Sequence, residues 1–264
     1  MANKKLGFAL GGGGARGVAH IGFLQALEEE GIKPDYITGC SMGAVVGGGY
    51  ACGLTPEEMK KMVFALKKRD LVDIAPNPIS QMGLLRSKKL KDFLVKNLKF
   101  KNIEEFPLPF KCVATDLLTG TTHVFENGDA ATAIQASSTV PALFRPVKLE
   151  DKLLVDGGCL CRVPARILKE MGADVIVAVD VLKNCSEPVE KLKNILDMML
   201  RLFDVMEANN ANHLRESVSD ICDLWLEPEI AGMSQYNIKD LKPAYDGGYA
   251  IGKENAQKIK ELLK

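Results

Sequence analysis

The stretch "GFALGGGGARGVAHIGFLQAL", residues 7–27, places four consecutive glycines between a short apolar run and a helical pattern of apolar residues. The apolar run predicts a buried strand, and the spacing after the glycines predicts a helix. A second unit follows, because the short strand predicted at 35–38 leads through "GCSMG" at 39–43 into a helix of small residues. Two such units in succession predict an α/β fold, with a largely parallel sheet covered by helices.

The rest of the chain continues this alternation. Further helices are predicted at 55–70, 88–98, 129–138, 164–172, 189–210 and 247–264. Further strands are predicted at 110–120, 122–128, 173–181 and 220–228, with a hairpin at 146–158 that turns at Glu150 and Asp151. Residues 71–100 begin irregularly, which is typical of a lid or of an ordinary surface connection. We expect a single domain over residues 1–264.

Composition narrows the class of protein. Lys and Arg together number 34, as do Asp and Glu, so the charge balance gives no case for nucleic-acid binding or for a strongly anionic membrane surface. The seven cysteines are odd in number and scattered, which favours reduced thiols in a cytosol. No run approaches the ~18 apolar residues of a membrane span. We expect a cytoplasmic protein whose membrane contact, at the inner face, would be peripheral.

The pentapeptide "GCSMG" has the spacing Gly-x-Ser-x-Gly between a predicted strand and a predicted helix. Gly39 and Gly43 would permit a tight turn that lifts Ser41 above the edge of the sheet. At a helix N-terminus, Ser41 would also lie in a positive field that favours negative charge near its oxygen. Ser41 is therefore a candidate nucleophile, and the alternative is a glycine-rich turn that matches the pattern by chance.

A serine nucleophile needs a base within hydrogen-bonding reach, and the chain has three histidines. His20, after the glycine loop, and His123, in a strand, occupy positions typical of packing residues. His213 lies late in a long polar helix, but the order Ser41, Asp156, His213 matches that of α/β-hydrolase triads. The other candidate is Asp156 alone, whose carboxylate would become more basic in a partly buried pocket. Asp156 is followed by two glycines, and an ordinary Asp-Gly turn explains this motif equally well.

The glycine loop supports two interpretations. Gly12, Gly14 and Gly17 after a strand fit a dinucleotide-binding fingerprint, with Asp35 near the position of a ribose-binding acid. The strand that carries Asp35 ends a few residues later at the Ser41 turn, however, which would crowd a ribose. The other interpretation is an oxyanion hole, because backbone N–H groups at a helix N-terminus suit either ligand.

Three motifs stand in order along the chain: "GGGARG" at 12–17, "GCSMG" at 39–43 and "DGG" at 156–158. Together with "ASSTVPALFRPV" at 136–147 they closely resemble the patatin-like phospholipases, in particular the small bacterial members, over at least residues 5–180. The resemblance implies a three-layer α/β/α sandwich with a mainly parallel central sheet. It also implies hydrolysis of fatty acyl esters of phospholipids, lysophospholipids or related lipids, without a cofactor or a metal.

The resemblance further implies a Ser-Asp dyad with no catalytic histidine. Ser41 would attack the ester carbonyl, and Asp156 would take its proton and later activate water. The N–H groups of Gly13 and Gly14 would hold the oxyanion.

The same likeness bears on the remaining residues of the loop. It implies that Gly12 and Gly17 shape the turn, and that Arg16 either shapes the loop or lies near the lipid head group. An ion pair that pins Arg16 to a carboxylate is a further option.

Within the helix predicted at 189–210, residues 189–208 carry an apolar stripe that includes several methionines. Such a stripe favours packing against the core. The alternative is an adaptable surface for acyl chains, for a membrane or for a second copy of this chain in a homo-oligomer.

The sequence thus predicts a serine acyl hydrolase. Two other hypotheses stay open, a histidine-assisted α/β-hydrolase esterase and a non-catalytic regulator that binds lipid or nucleotide. Head group and acyl-chain length are not predicted, because phospholipases, lysophospholipases, lipases and thioesterases need the same dyad.

Overall fold

The structure is a computed structural model. It describes residues 4–66, 73, 82–182, 191–230, 232–236 and 238–264.

A mixed sheet forms the centre of the described part of the chain. Its eight strands are β1 (Leu6–Leu10), β2 (Tyr36–Cys40), β3 (Phe110–Asp116), β4 (Thr121–Phe125), β5 (Val147–Leu149), β6 (Lys152–Asp156), β7 (Val175–Val179) and β8 (Leu224–Leu226). They run in the order β5-β6-β3-β2-β1-β7-β8, and β4 pairs with β3. The pairs from β3 through β2, β1 and β7 to β8 are parallel, whereas β4, β5 and β6 are antiparallel additions. The predicted mainly parallel sheet is confirmed.

Helices cover both faces of this sheet. The α-helices are α1 (Ala19–Glu29), α2 (Met42–Ala51), α3 (Pro56–Ala65), α4 (Lys88–Asn97), α5 (Ala130–Ser137), α6 (Ala165–Glu170), α7 (Ile195–Ser217) and α8 (Lys242–Leu262). Alternation along β1 explains the layers, because successive strand side chains point to opposite faces. Phe8 packs in the large core with α1, α2 and α8, whereas Ala9 packs with α6 and the end of α7. The predicted three-layer α/β/α architecture is confirmed.

Local signals located most elements to within a few residues. α3 begins at the predicted capping box, in which Thr55 and Glu58 each bond the other's backbone N–H. The hairpin turns at Glu150 and Asp151 as expected.

The closing helix was placed wrongly at its start, because α8 begins five residues earlier than the predicted 247–264. Its glycines mark a close approach to α1, since a Cβ on Gly248 would collide with the backbone of Ala19.

The lid predicted at 71–100 lies partly outside the described residues, which omit 67–72 and 74–81. The described remainder is attached to the body of the protein. The Leu85 N–H donates to the carbonyl of Leu143 at 2.8 Å, and Lys91 of α4 donates to the Thr132 hydroxyl of α5 at 2.8 Å. Among the helices that the structure describes, none could serve as a membrane span.

Candidate active site

The sheet brings two distant strand ends together. β3 pairs with β4 along its length, so β2 and β6, which pair with different parts of β3, share its other edge. Cys40 at the end of β2 is opposite Val113, and Asp156 at the end of β6 is opposite the next residue, Ala114. Because β2 is parallel and β6 antiparallel to β3, the two strands run toward each other and their last residues meet.

Ser41 lies at this junction in a strained turn. Its φ of 51° and ψ of −122° are rare for a residue with a side chain, and α2 begins at the next residue. The turn requires glycine at its end, since a Cβ on Gly43 would collide with the carbonyl of Leu10. Ser41 is 7% exposed. The structure therefore places it at a sharp strand-to-helix turn, as the sequence predicted.

Asp156 is 2% exposed and its side chain faces Ser41. Burial raises the pKa of Asp156 to about 6, while hydrogen bonds from the Ser41 side chain, the Gly158 N–H and the Cys40 thiol partly oppose the rise. The Gly158 N–H lies 2.8 Å and the Cys40 Sγ 3.8 Å from Asp156 Oδ1. A carboxylate with a raised pKa next to a serine hydroxyl is a suitable general base.

The end of α5 and the residues that follow it support both Ser41 and Asp156. The Ser41 N–H donates to the Ser137 Oγ at 2.9 Å, and the Asp156 N–H donates to the Thr139 carbonyl at 2.8 Å. Sequence reasoning identified this stretch only as part of a family signature and missed these two contacts. Ser137 in "ASST" was the available signal for the first contact, because buried hydroxyl groups usually bond to backbone. The second contact uses the backbone carbonyl of Thr139, which the residue type does not reveal.

The glycine loop lies beside Ser41 and carries several backbone N–H donors. A short 3-10 helix, Gly14–Val18, begins within it. The N–H groups of Gly12 and Ala15 donate to the carbonyls of Arg162 and Gln235. Those of Gly13 and Gly14 have no acceptor among the residues that the structure describes. Two adjacent unpaired donors are what an oxyanion hole requires.

Arg16 and Gly17 hold the loop in place. The Arg16 guanidinium donates to the backbone carbonyls of Met233 at 2.6 Å and Leu182 at 3.3 Å. It therefore attaches the loop to two other segments through carbonyl groups, and no carboxylate among the described residues pairs with it. A Cβ on Gly17 would collide with the Met42 side chain, next to the nucleophile.

A buried ion pair lies under the same loop. Arg162 and Asp180 are each 3% exposed, and the Arg162 Nη2 lies 2.5 Å from the Asp180 Oδ2. The Arg162 carbonyl accepts from Gly12, and the Asp180 carboxylate accepts from the Leu182 N–H at 3.1 Å. Sequence reasoning missed this pair, because a charged residue after each of two strands does not reveal that they meet.

The three histidines do not complete a triad. His20 is buried beside Gly11, and burial lowers the pKa of its imidazole to about 4, so that the neutral ring donates from Nε2 to the Gly11 carbonyl at 2.8 Å. His123 packs edge-on against Phe125 in β4. His213 is exposed on α7. Among the described residues, no histidine contacts Ser41 or Asp156.

Asp35 lies at the opposite end of β2 from Ser41. Its carboxylate pairs with Lys5 at 2.8 Å and accepts from the Leu6 N–H at 2.9 Å. It therefore fixes the start of the sheet, on the side away from the glycine loop. A ribose-binding role next to that loop is wrong on geometric grounds.

The helix predicted at 189–210 exposes the apolar stripe that was expected to pack against the core. α7 runs from Ile195 to Ser217, and residues 189–190 lie outside the described part of the chain. Its apolar stripe is exposed, which makes the favoured core-packing interpretation wrong; the exposed members are Ile195, Met198, Met199, Leu202, Val205 and Met206. The buried face carries Glu207, Ala208 and Ala211 instead.

Glu207 is the other residue that sequence reasoning missed. It is 4% exposed, and its carboxyl lies against Gly12 of the glycine loop and Gly158 beside Asp156. The available signal was the pair of alanines that follows it, Ala208 and Ala211, because small residues let a helix approach a neighbouring element closely. The apolar stripe concealed it.

Comparison with known proteins agrees with the fold and the motifs. The sequence profile of the family described as "Patatin-like phospholipase" matches residues 8–169, which contain Ser41, Asp156 and the glycine loop. The chain belongs to the patatin-like phospholipase family. The profile ends before α7, so the helix that carries Glu207 lies outside the matched region.

The curated relatives that this chain matches are longer proteins. An "Uncharacterized NTE family protein" of Mycobacterium tuberculosis is 36% identical over 218 residues, which cover 79% of this chain and 60% of that protein. "Lysophospholipase NTE1" of Scheffersomyces stipitis is 32% identical over 289 residues, which cover 98% of this chain and 18% of that protein. This chain thus spans less than two thirds of the length of each, 60% of the first and 18% of the second.

Two solved structures share the patatin-like fold. VipD from Legionella pneumophila superimposes with a TM-score of 0.60 at 15% identity, over 98% of this chain and 67% of VipD. The type III effector protein ExoU gives 0.51 at 13% identity, over 99% of this chain and 54% of ExoU. At these identities the likeness concerns the fold alone.

Proposed function

We propose that this protein is a serine acyl hydrolase that cleaves fatty acyl esters of phospholipids, lysophospholipids or related lipids. One observation carries the proposal. The Ser41 side chain lies beside a buried carboxylate, Asp156, whose pKa is raised to about 6. The adjacent glycine loop carries two N–H groups, those of Gly13 and Gly14, that have no acceptor among the described residues. Nucleophile, base and oxyanion donors are the three parts that acyl transfer needs.

The reaction has two halves. Asp156 takes the proton of Ser41 as the Ser41 Oγ bonds to the ester carbonyl carbon, and the carbonyl oxygen becomes an oxyanion that accepts from Gly13 and Gly14. The C–O bond to the alcohol then breaks, and the alcohol oxygen takes the proton from Asp156. In the second half Asp156 takes a proton from water, the water oxygen attacks the acyl-enzyme, and Ser41 leaves with that proton as the fatty acid is released.

An apolar cavity begins one turn from Ser41 along α2. Its lining includes Val45 and Gly49, which are four residues apart and lie on one face of α2. Residues of α3 and α4 close it, among them Met62 and Phe93. This lining suits the apolar part of a fatty acyl ester. The cavity measures about 40 Å³, so a long chain would have to part α3 and α4 to enter.

The exposed face of α7 gives the protein a means of contact with lipid. Ile195 is 75% exposed, and Leu202 and Met206 are 51% and 53% exposed. Adjacent exposed apolar side chains on one helix are typical of a membrane or protein contact. Glu207, on the opposite face of α7, lies beside Gly12. Contact of the exposed face with a lipid surface would therefore bring the catalytic site close to that surface.

A lysophospholipid is the substrate class to test first. The fungal relatives that match nearly the whole of this chain carry the name lysophospholipase.

A histidine-assisted esterase is disfavoured, because His213 is exposed and His20 bonds the Gly11 carbonyl. A non-catalytic regulator would have no need of the strained backbone at Ser41.

Covalent labelling tests the proposal. A fluorophosphonate probe should label wild type and fail to label Ser41→Ala, because the probe reacts with an activated serine. Unlabelled wild type and Ser41→Ala are then assayed on phospholipid, lysophospholipid, neutral-lipid and thioester substrates, with exposed Ser219→Ala as the control variant. Absence of labelling together with absence of hydrolysis across the panel would contradict the proposal.

A further inference from the structure

The carboxyl group of Glu207 has no part in the steps above, yet it lies as deep as the dyad. Its exposure is 4%, against 2% for Asp156 and 7% for Ser41. Burying a carboxyl group is costly without a compensating interaction, so a buried acid beside a reactive serine calls for an explanation.

The neighbouring turns of α7 fix this carboxyl against both catalytic loops. Asn210 donates to the Cys159 carbonyl at 2.9 Å, just after the Asp156 turn. Asp204 accepts from the Gln235 amide at 2.6 Å, and the Gln235 carbonyl accepts from the Ala15 N–H of the glycine loop at 2.8 Å. Positions 204, 207 and 210 are three residues apart, so they share one helix face. The orientation of Glu207 is thus set from both sides.

Two glycines leave the space that Glu207 occupies. A Cβ on Gly12 would lie 3.5 Å from Glu207 Oε1 and 3.3 Å from the Cβ of Ser41. A Cβ on Gly158 would lie 2.5 Å from Glu207 Oε1 and 3.1 Å from Asp156 Oδ1. The Glu207 carboxyl therefore borders the nucleophile on one side and the base on the other.

The charges around Glu207 favour its neutral form. Burial is the main cause that raises its pKa to about 8, and Asp156, Asp180 and Asp204 raise it further, whereas Arg162 lowers it. Tyr236, Cys40 and Cys159 also face it, and none of these three loses a proton near neutral pH, because burial raises each of their pKa values. A raised pKa favours the protonated form of the Glu207 carboxyl at pH 7, and a protonated carboxyl can donate a hydrogen bond.

We propose that Glu207 contacts the substrate of the proposed hydrolase and donates a hydrogen bond to the alcohol portion of the ester, beside the bond that is cleaved. The inference rests on the proposed function. Asp156 returns its proton to the alcohol oxygen, so the alcohol leaves on the Asp156 side, where Glu207 lies, while Gly13 and Gly14 take the carbonyl oxygen. A glycerol-based alcohol offers hydroxyl and ester oxygens as acceptors there.

Ionisation of Glu207 would replace this hydrogen bond by electrostatic repulsion. Its carboxylate would lose the donor and add a negative charge beside both the oxyanion and an anionic head group. Hydrolysis should therefore decline above about pH 8, although Asp156 remains ionised and active as a base.

The test compares the pH profiles of Glu207→Gln, Glu207→Leu and wild type on one lysophospholipid. The glutamine amide keeps a donor and cannot ionise, so kcat/KM should fall several-fold at pH 7 yet lack the decline above pH 8. The leucine variant lacks a donor and should lose about tenfold or more at pH 7. Exposed Glu216→Gln on the same helix is the control, with the wild-type profile expected.

A second measurement does not depend on turnover. The unfolding free energy of wild type, relative to Glu207→Gln, should fall as pH rises from about 4.5 to 8 and level off above, because the folded protein holds a proton that the unfolded chain loses earlier. An active wild type whose alkaline decline persists in Glu207→Gln would overturn this inference alone. A wild type that neither reacts with the probe nor hydrolyses any ester would overturn the proposed function as well.

Discussion

Cys40 and Asp156 pair with adjacent residues of one strand, Val113 and Ala114, although 116 positions separate them in the chain. The parallel strand β2 and the antiparallel strand β6 run toward each other along the same edge of β3. Their ends meet where Ser41 begins its turn. The candidate dyad is therefore built by sheet register, with one residue supplied by each of two converging strands.

Removal of either member of the dyad should abolish turnover. We expect Ser41→Ala and Asp156→Asn each to lower kcat by about a thousandfold or more, since nucleophile and base act as a unit. Steady-state hydrolysis of the best ester in the panel measures the effect. His213→Ala should retain wild-type activity, and its inactivation would instead support a histidine-assisted mechanism.

Acid pH should inactivate the enzyme through Asp156. The carboxylate acts as a base only when ionised, so kcat/KM should fall about tenfold for each pH unit below about 6, where the proton is retained. A pH profile on an uncharged ester, which itself does not titrate, measures this limb. A decline that begins only near pH 4 would indicate an Asp156 without the effect of burial.

Substitution of Ser137 should lower stability and activity more than substitution of its neighbour Ser138. In Ser137→Ala the buried Ser41 N–H loses its acceptor, at a cost of about 1–3 kcal/mol in unfolding free energy, and kcat should fall as the turn shifts. Ser138 is the matched control, because its buried Oγ has no hydrogen-bond partner among the described residues. Denaturant unfolding and initial rates measure both. Equal effects of the two substitutions would contradict the assigned contact.

Glycine at position 41 should stabilise the fold relative to alanine. The φ of 51° is unfavourable for any residue with a Cβ, so Ser41→Gly should be more stable than Ser41→Ala by about 1 kcal/mol. At Ser219, which is not among the residues with positive φ, the order should reverse. Thermal or denaturant unfolding of the four variants tests this, and a stabler alanine at position 41 would show that the turn is unstrained.

Polar substitutions on α7 should separate lipid contact from catalysis. Leu202→Ser with Met206→Gln should weaken association with phosphatidylcholine vesicles and slow hydrolysis there, while the rate on a soluble short-chain ester is unchanged, because both side chains are exposed. Val95→Ser on α4 is the control, since Val95 is 63% exposed and lies on a different helix. Unchanged vesicle binding in the double variant would argue against a lipid-contacting role.

Much of the fold could be predicted because local signals were strong. The apolar run before the glycine loop, the capping box at Thr55 and the turn at Glu150 each depend on neighbouring residues alone. The α7 helix could not be oriented in this way, because a stripe of period 3.6 states that one face is apolar but not what that face meets. Only the packing of Ala208 and Ala211 showed that the polar edge of the helix faces inward.

The sequence by itself determined that Ser41 lies in a glycine-flanked turn between a strand and a helix, because such a turn depends on a few adjacent residues. It also placed Asp156 at the end of a strand. Only the tertiary structure decided that the two side chains meet, that Ser137 and Thr139 support them, and that Glu207 joins them. These contacts join positions far apart in the chain, and they arise from strand register and helix packing, which no local pattern encodes.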